Sequence, residues 1–381
     1  MFLTELALTD FRGYEHAEIS FARGATLFLG PNGHGKTNLI EAVEYVATLR
    51  SHRVASDRPL VRSGQTQAVV RAKLQAGVDD QRTLAVDLEI NLGAPNKARL
   101  NKGPVRPRDV AGALRVVLFA PEDLAIAKGD PADRRAFIDA LVATRWPRFA
   151  QIHADLDRAL RQRTTLLKAL AGKGPRPPSG GAEETLAVWD DRVADLGAQI
   201  TAARLATLTE LAPLYARHYA ALAPIRNTAT VAYASHAVPE WGQGTGPAGP
   251  AEIADRYRAE IDRRKQEELA RSQSLVGPHR DDLALELDGL PVKGYASHGE
   301  SWSVALGLRL ASLELLRADG VEPVLLLDDV FAELDQTRRA RLADTCAQTE
   351  QVLITAAVPD DVPPGLAGTE FLVESGTVRP A

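Results

Sequence analysis

Eight consecutive residues, Gly30-Pro31-Asn32-Gly33-His34-Gly35-Lys36-Thr37, fit the spacing G-x-x-x-x-G-K-[ST]. Glycines at such positions let the backbone curl until successive N–H groups point inward, and a helix beginning at the end of the loop adds its partial positive charge. Together they cradle an anion. In that cradle Lys36 neutralises the β- and γ-phosphates of a nucleotide, and the Thr37 hydroxyl is placed to ligate Mg²⁺. A second chemical group stands far along the chain, where Asp328 and Asp329 follow the apolar run Val324-Leu325-Leu326-Leu327. Carboxylates at the end of a central parallel strand lie beside the phosphate loop in P-loop folds. Asp328 is therefore expected to hold Mg²⁺, directly or through water, and Asp329 to orient or deprotonate an attacking water. A third motif, Ser297-His298-Gly299-Glu300, directly precedes the apolar helical run Val304 to Leu316. Ser and Gly at a helix start make another terminus that can bind an anion.

The elements that must position these residues follow from periodicity. Leu27-Phe28-Leu29 leads into the glycine loop as a buried strand, and Leu39, Ile40, Val43, Val46 and Ala47 recur after it at helical spacing. Strand, loop and helix are the context a phosphate loop requires. Leu84, Val86, Leu88, Ile90 and Leu92 alternate strictly and predict an antiparallel strand with one wet face. Beyond Pro121 the pattern turns helical, with runs from Ile152 to Leu170, Leu186 to Leu211 and Ile253 to Leu269 separated by the Gly/Pro-rich stretches 171–183 and 238–250. The first two runs suggest an antiparallel helical hairpin. Alternation returns at Leu283, Leu285 and Leu287. The expected fold class is α/β, a P-loop ATPase head formed by both ends of the chain, residues 1–119 with 276–381, around a mostly helical inserted lobe, residues 120–275.

Composition limits the partners and the compartment. With 381 residues and 45% hydrophobic content the chain is an ordinary globular protein, and its one cysteine, Cys346, excludes an internal disulfide. Glu5 and Asp10 stand where a secretory leader would be basic and then apolar, and no apolar run approaches the roughly 20 residues that span a bilayer. A cytoplasmic protein without membrane partners is expected. The formal net charge of -5 hides a polarity: residues 47–115 hold 13 Lys and Arg against 6 Asp and Glu, whereas residues 281–381 hold 7 against 18.

In order along the chain, the phosphate loop, the S-x-G-[QE] helix start, the strand ending in two acids and Glu333-Leu334-Asp335 resemble the ATP-binding-cassette (ABC) ATPases. More closely, the chain resembles the RecF family of recombination mediators, relatives of the SMC proteins. The residues that carry this are Asp10-Phe11-Arg12-Gly13-Tyr14, Gly30 to Glu41, Phe119 to Leu124, Gly129 to Arg135 with Phe137 and Asp139, Gly277 to Asp282, and Leu326 to Asp335. The resemblance implies an ABC-type head in which Arg12, Gly30, Pro31, Asn32, Gly33, His34, Gly35, Lys36, Thr37 and Asn38 contact ATP, with Mg²⁺ at Thr37 and Asp328 and catalysis at Lys36 and Asp329. Ser297, His298, Gly299 and Glu300 become the signature motif acting on the partner subunit of an ATP-dependent, head-to-tail homodimer, and Asp335 belongs to the loop after the acidic pair.

The implied partners are double- and single-stranded DNA at gaps or junctions, RecR, and through it RecA and RecO, in DNA repair, replication restart and SOS induction. Candidates for the DNA phosphates are Arg50, Arg53, Arg58, Arg62, Arg71, Lys73, Lys97, Arg99, Lys102, Arg106 and Arg108. Aromatic residues are only 5% of the chain, which favours backbone contact over base stacking. The family signature usually reads Ser-Gln-Gly-Gln, so His298 and Glu300 depart from it. Thr355-Ala356-Ala357 stand where cassette transporters carry a histidine, and slow, DNA-stimulated ATP turnover working as a switch is expected. SMC proteins insert a very long coiled coil where residues 120–275 promise only short helices. Two other readings stay open at this level: an ABC-type ATPase driving a different partner, and a P-loop small-molecule kinase, which would have no use for Ser297 to Glu300. No role for Gly277 to Asp282 is legible.

Overall fold

The computed structural model describes all residues except 78–79, 174–180, 224–226, 236, 238–248 and 367. The connections expected at 171–183 and 238–250 lie largely outside the described residues. The chain divides into two compact units, one formed by Met1–Leu124, Ala221–Ile225 and His298–Ala381, the other by Ala125–Ala220 and Arg226–Ser297.

The first unit contains two six-stranded sheets. In one, the strands run in the order Thr377–Pro380, Thr369–Glu374, Gly24–Leu29, Gln351–Ala356, Val324–Asp328, Val116–Phe119, and every pairing but that of Thr377–Pro380 is parallel. Leu325, Leu326, Leu327, Leu353 and Ile354 are wholly buried, as strands covered on both faces must be. Register pairs Leu29 with Ala356, Thr355 with Asp328, and Leu327 with Phe119. The loops that begin at Gly30, Asp329, Ala357 and Ala120 therefore leave from one edge, the carboxyl edge where open parallel sheets bind ligands.

The other sheet is antiparallel, in the order Tyr14–Ser20, Phe2–Phe11, Gln67–Gln75, Thr83–Asn91, Lys97–Leu100, Gly103–Val105. Thr83–Asn91 is the strand with one wet face: Val86, Leu88 and Ile90 are buried, and Asp87 and Glu89 between them are not. These residues share one core cluster with Leu39, Ile40, Val43 and Val46 of the helix Lys36–Thr48. Each fully buried aliphatic side chain contributes roughly 1.5–3 kcal/mol, so the helix that starts at the phosphate loop stands on a rigid base. Cys346 is buried, as a small apolar residue would be.

The second unit is mostly helical, with Pro131–Arg145, Arg148–Leu170, most of Ala182–Leu222, and Pro250–Arg271 around a small antiparallel sheet ordered Leu290–Pro291, Asp282–Leu287, Ala229–Ala234. Two expectations change here. Residues 276–297 fall in this unit and not with the head, because Asp282–Leu287 pairs with Ala229–Ala234. The helices are also not all short: Ala182–Leu222 runs for 41 residues, about 60 Å at 1.5 Å per residue. It passes through Pro213, a residue that usually breaks a helix, because Leu211, Tyr215, Tyr219 and Leu222 continue one buried face across it.

The structure also accounts for Gly277 to Asp282. The Asp281 carboxylate is buried and accepts hydrogen bonds from the hydroxyls of Tyr233 (2.6 Å) and Tyr257 (3.0 Å). Arg134 donates twice to Asp282, both at 2.8 Å, Arg135 donates to the Asp281 carbonyl at 2.7 Å, and Arg204 joins the Pro278 carbonyl (2.9 Å) to Asp139 (2.7 and 2.8 Å). Two motifs far apart in sequence thus interlock as the polar core of this unit.

Candidate nucleotide site

Gly30 leaves its strand at φ +155°, where a Cβ would lie 2.2 Å from the Val373 carbonyl oxygen, so only glycine fits. Gly35, at φ +112°, caps the helix Lys36–Thr48, and the Tyr14 hydroxyl donates to its carbonyl at 2.9 Å. Lys36 is 3% exposed. Its Nζ donates to the Gly30 carbonyl (2.8 Å), the Pro31 carbonyl (3.3 Å) and Asn32 Oδ1 (3.1 Å), with Asp329 Oδ2 4.0 Å away. Neutral carbonyls are weak partners for a buried ammonium, and a phosphate oxygen offers a stronger, charge-assisted bond.

Asp328 Oδ1 accepts hydrogen bonds from the hydroxyls of Thr37 (3.0 Å) and Thr355 (2.7 Å). Thr355 in turn accepts the Asp329 N–H at 2.8 Å, so one hydroxyl fixes both acids. Burial raises the pKa of Asp328 above the usual carboxylate range, against the pull of those hydroxyls. Burial raises that of Asp329 too, and Lys36 holds it back. Asp329 has left-handed backbone, φ 49°, ψ 22°. A non-glycine residue there stores strain of about 1–3 kcal/mol, a condition concentrated at functional sites.

The Thr37 hydroxyl and the Asp328 carboxylate make a hard-oxygen pair that suits Mg²⁺, and Mg²⁺ characteristically fills its remaining positions with water and phosphate. No cluster of three or more His, Cys, Asp or Glu side chains among the described residues forms a complete metal cage. Beside Asp329 opens a cavity of about 240 Å³ lined by Asn32, Pro121, Phe331, Thr355 and Asp361 among others, and none of the described residues lining it comes from 297–300.

Around this centre the structure adds residues that motif spacing misses. His52 Nδ1 lies 2.6 Å from Glu44 Oε2 and its Nε2 3.9 Å from Asp328 Oδ2. Burial opposes its charge, but the bond to Glu44 and the carboxylates of Glu44, Glu122 and Asp328 outweigh it and raise its pKa. Glu41 is fully buried and accepts two bonds from Arg12, at 2.7 and 2.5 Å, and one from the Ser51 hydroxyl. Arg12, expected on the nucleotide, is thus tied first to the helix that follows the loop. Asn38 Oδ1 accepts from Arg53 at 3.0 Å. Thr355, His52 and Glu41 carry no spacing signal, since each acts through a partner that only the fold brings near.

Ser297 immediately precedes the helix His298–Ala318, whose first turn holds Gly299 and Glu300. Asp335 caps the helix Gln336–Ala347 by accepting the Arg338 N–H at 2.9 Å. The basic stretch is a mixed surface. Lys73 pairs with Glu5 (3.0 Å), Arg71 with Asp87 (3.8 Å), Arg99 and Lys97 with Glu89 (3.0 and 3.7 Å), Arg62 with Asp10 (2.6 Å) and Arg106 with Asp109 (2.9 Å); Arg108 lies 3.9 Å from the same Asp109. Arg50, Arg58 and Lys102 are exposed and have no acidic partner among the described ion pairs.

Residues 2–362 match the RecF/RecN/SMC N terminal domain family. A DNA replication and repair protein RecF from Cutibacterium acnes is 51% identical over 388 residues, covering 99% of this chain and 98% of that protein. The chain belongs to the RecF family. The RecF of Frankia alni is 53% identical over 379 residues, 99% of each chain. Among solved structures, the recombination mediator protein RecF with ATP superposes with a TM-score of 0.88 at 25% identity, covering 100% of this chain and 97% of the other. The SMC head domain of Pyrococcus furiosus, at TM-score 0.56 and 16% identity over 100% of this chain and 96% of that one, shares the fold. An ABC/SMC-like α/β head is therefore the architecture of this RecF-family chain. Among its described residues no helix is long and apolar enough to cross a membrane.

Proposed function

We propose that this chain is an ATP- and DNA-binding recombination mediator working as a switch, in which ATP with Mg²⁺ joins two copies head to tail around DNA and hydrolysis releases them. The observation that carries the reading is the buried Lys36 held only by loop oxygens and faced by Asp329 at 4.0 Å, beside Thr37 and Asp328. Mg²⁺ held by Thr37 and Asp328 would offset charge on the β- and γ-phosphates. Lys36 and the loop N–H groups bind the phosphates, and Asp329, oriented by Thr355, draws the proton from a water in the adjacent cavity. Ser297 and Gly299 come from a second copy in this reading. A ligand drives dimerisation only by its differential affinity for the two states, and here the contacts from the second copy supply that difference.

By likeness to its relatives, the assembly acts at gaps or single/double-strand junctions, and with RecR and RecO it helps load RecA in repair, replication restart and SOS induction. Light scattering tests the switch. ATP with Mg²⁺ should convert monomer to dimer, DNA should stimulate both dimerisation and hydrolysis, and Ser297→Arg should leave a monomer that still binds ATP. A Ser297→Arg variant that dimerises like the parent rejects the model.

A further inference from the structure

Arg338 is 6% exposed, and three of its contacts tie together segments from two separate motifs. Its Nε donates to the Ser303 hydroxyl at 2.9 Å, and Ser303, one turn into the helix His298–Ala318, donates back to the Gly299 carbonyl at 3.2 Å. Its Nη1 donates to Asp335, whose carboxylate also accepts the Arg338 N–H. Gly299 packs directly over the guanidinium: a Cβ at that position would lie 3.4 Å from Nη2. Hydrogen bonds therefore link the Gly299 carbonyl through Ser303 and Arg338 to the Asp335 carboxylate without a break.

Asp335 is half exposed, at 51%, yet its carboxylate is already engaged in the helix cap and the Arg338 clamp. Its work is to hold position. We propose that Arg338 is a positioning residue that locks the start of the signature helix to the loop after the acidic pair, so that the two segments meet a partner subunit's nucleotide as one rigid surface. This role rests on the head-to-tail dimer proposed above, and it deepens that reading by assigning the rigidity of the donated half-site to one buried guanidinium. A planar fork is required because Nε and Nη1 reach two segments at once, which the single ammonium of lysine cannot do.

The test uses Arg338→Met, Arg338→Lys and Ser303→Ala in the full chain. Removing Arg338 leaves Asp335 at the surface, where water solvates it, so the fold is retained, and circular dichroism checks this. Binding of a fluorescent ATP analogue to the monomer, which depends on Lys36, should match the parent. ATP-driven dimerisation should weaken about tenfold in Arg338→Met, the worth of charge-assisted hydrogen bonds, less in Arg338→Lys, and least in Ser303→Ala.

Mixing supplies a readout that a merely structural role would not move. Arg338→Met and Lys36→Ala subunits together assemble one composite site with an intact Lys36 and an intact Arg338, so at a concentration where each variant alone is mostly monomeric the mixture should dimerise more than either. Arg338→Met dimerising like a dimerising parent, or no recovery on mixing, overturns this role alone. A parent that stays monomeric with ATP overturns the dimer and this role with it.

Discussion

Lys36 and Lys73 are both lysines of the first unit, and the fold puts them to opposite uses. Lys36 is buried, touches only loop carbonyls and Asn32, and keeps its nearest carboxylate 4.0 Å off. Lys73 stands on the wet face of the antiparallel sheet, 3.0 Å from Glu5 on the neighbouring strand. Arg71 with Asp87 and Arg99 with Glu89 repeat that arrangement across the same sheet. A cation neutralised within its own fold has little left for a phosphate, whereas one held among neutral oxygens is a receptor. The surplus of basic residues between 47 and 115 is therefore partly offset within the fold, and in the reading proposed above the single charge in the loop is the one left to receive a phosphate.

Lys36→Ala should break this contrast from one side most severely. Nucleotide binding by calorimetry should fall by roughly 100-fold or more, with the melting profile of the apo chain unchanged. Asp329→Asn separates holding from reacting: ATP-driven dimerisation should persist while hydrolysis, followed by phosphate release, drops by about 10²–10⁴.

His279 sharpens the rule with a third outcome, a buried titratable group whose ring Nε2 lies 3.3 Å from a backbone carbonyl, that of Ser274. Burial lowers its pKa to about 4, with Arg280, Arg135 and Arg163 adding to the effect. The unfolded chain takes up that proton near pH 6.5 and the folded chain only near 4. Stability is thus lost as the pH falls through this window, by up to about 3 kcal/mol at its lower end. Urea unfolding of the parent and of His279→Gln at pH 7, 6, 5 and 4.5 should show a loss on acidification that is smaller in the variant. Equal slopes would remove His279 from the account.

The smallest effect distinguishes the paired cations from the unpaired ones. Replacing Arg50, Arg58 and Lys102 by Gln should lower duplex affinity and reduce the dependence of log K on log salt by up to about 0.9 per lost phosphate contact. Replacing Arg71, Lys73 and Arg99 should change both less. Fluorescence anisotropy at several salt concentrations reads the two sets, and equal losses would mean that ion pairing in the free protein does not predict contact with DNA.

What was legible in the sequence was local. Leu27 to Thr37 contains its strand, its loop and the start of its helix in contiguous residues, and Val324 to Asp329 carries its burial and its acids together. What was not legible depends on pairing at a distance. Glu5 and Lys73 meet only because two strands share a register, and Thr355 reaches Asp328 only because parallel neighbours place it alongside. The alternation at Leu283 to Leu287 declared a strand correctly, yet could not say that its partner was Ala229–Ala234 and so put it in the wrong unit. The helix through Pro213 was hidden for a similar reason, since proline is a local signal and the burial of Tyr215 and Tyr219 is not.

The left-handed backbone at Asp329 also limits which residue can stand there. Among side chains with a Cβ, Asp and Asn enter that region most readily, because their short polar groups can bond locally, while longer or branched residues do so at greater cost. Glutamate, the nearest chemical substitute, would meet the steric penalty and also carry its carboxylate one methylene further from the anchor at Thr355. The left-handed turn favours the shorter acid, and asparagine is the replacement that removes the charge with the turn left in place.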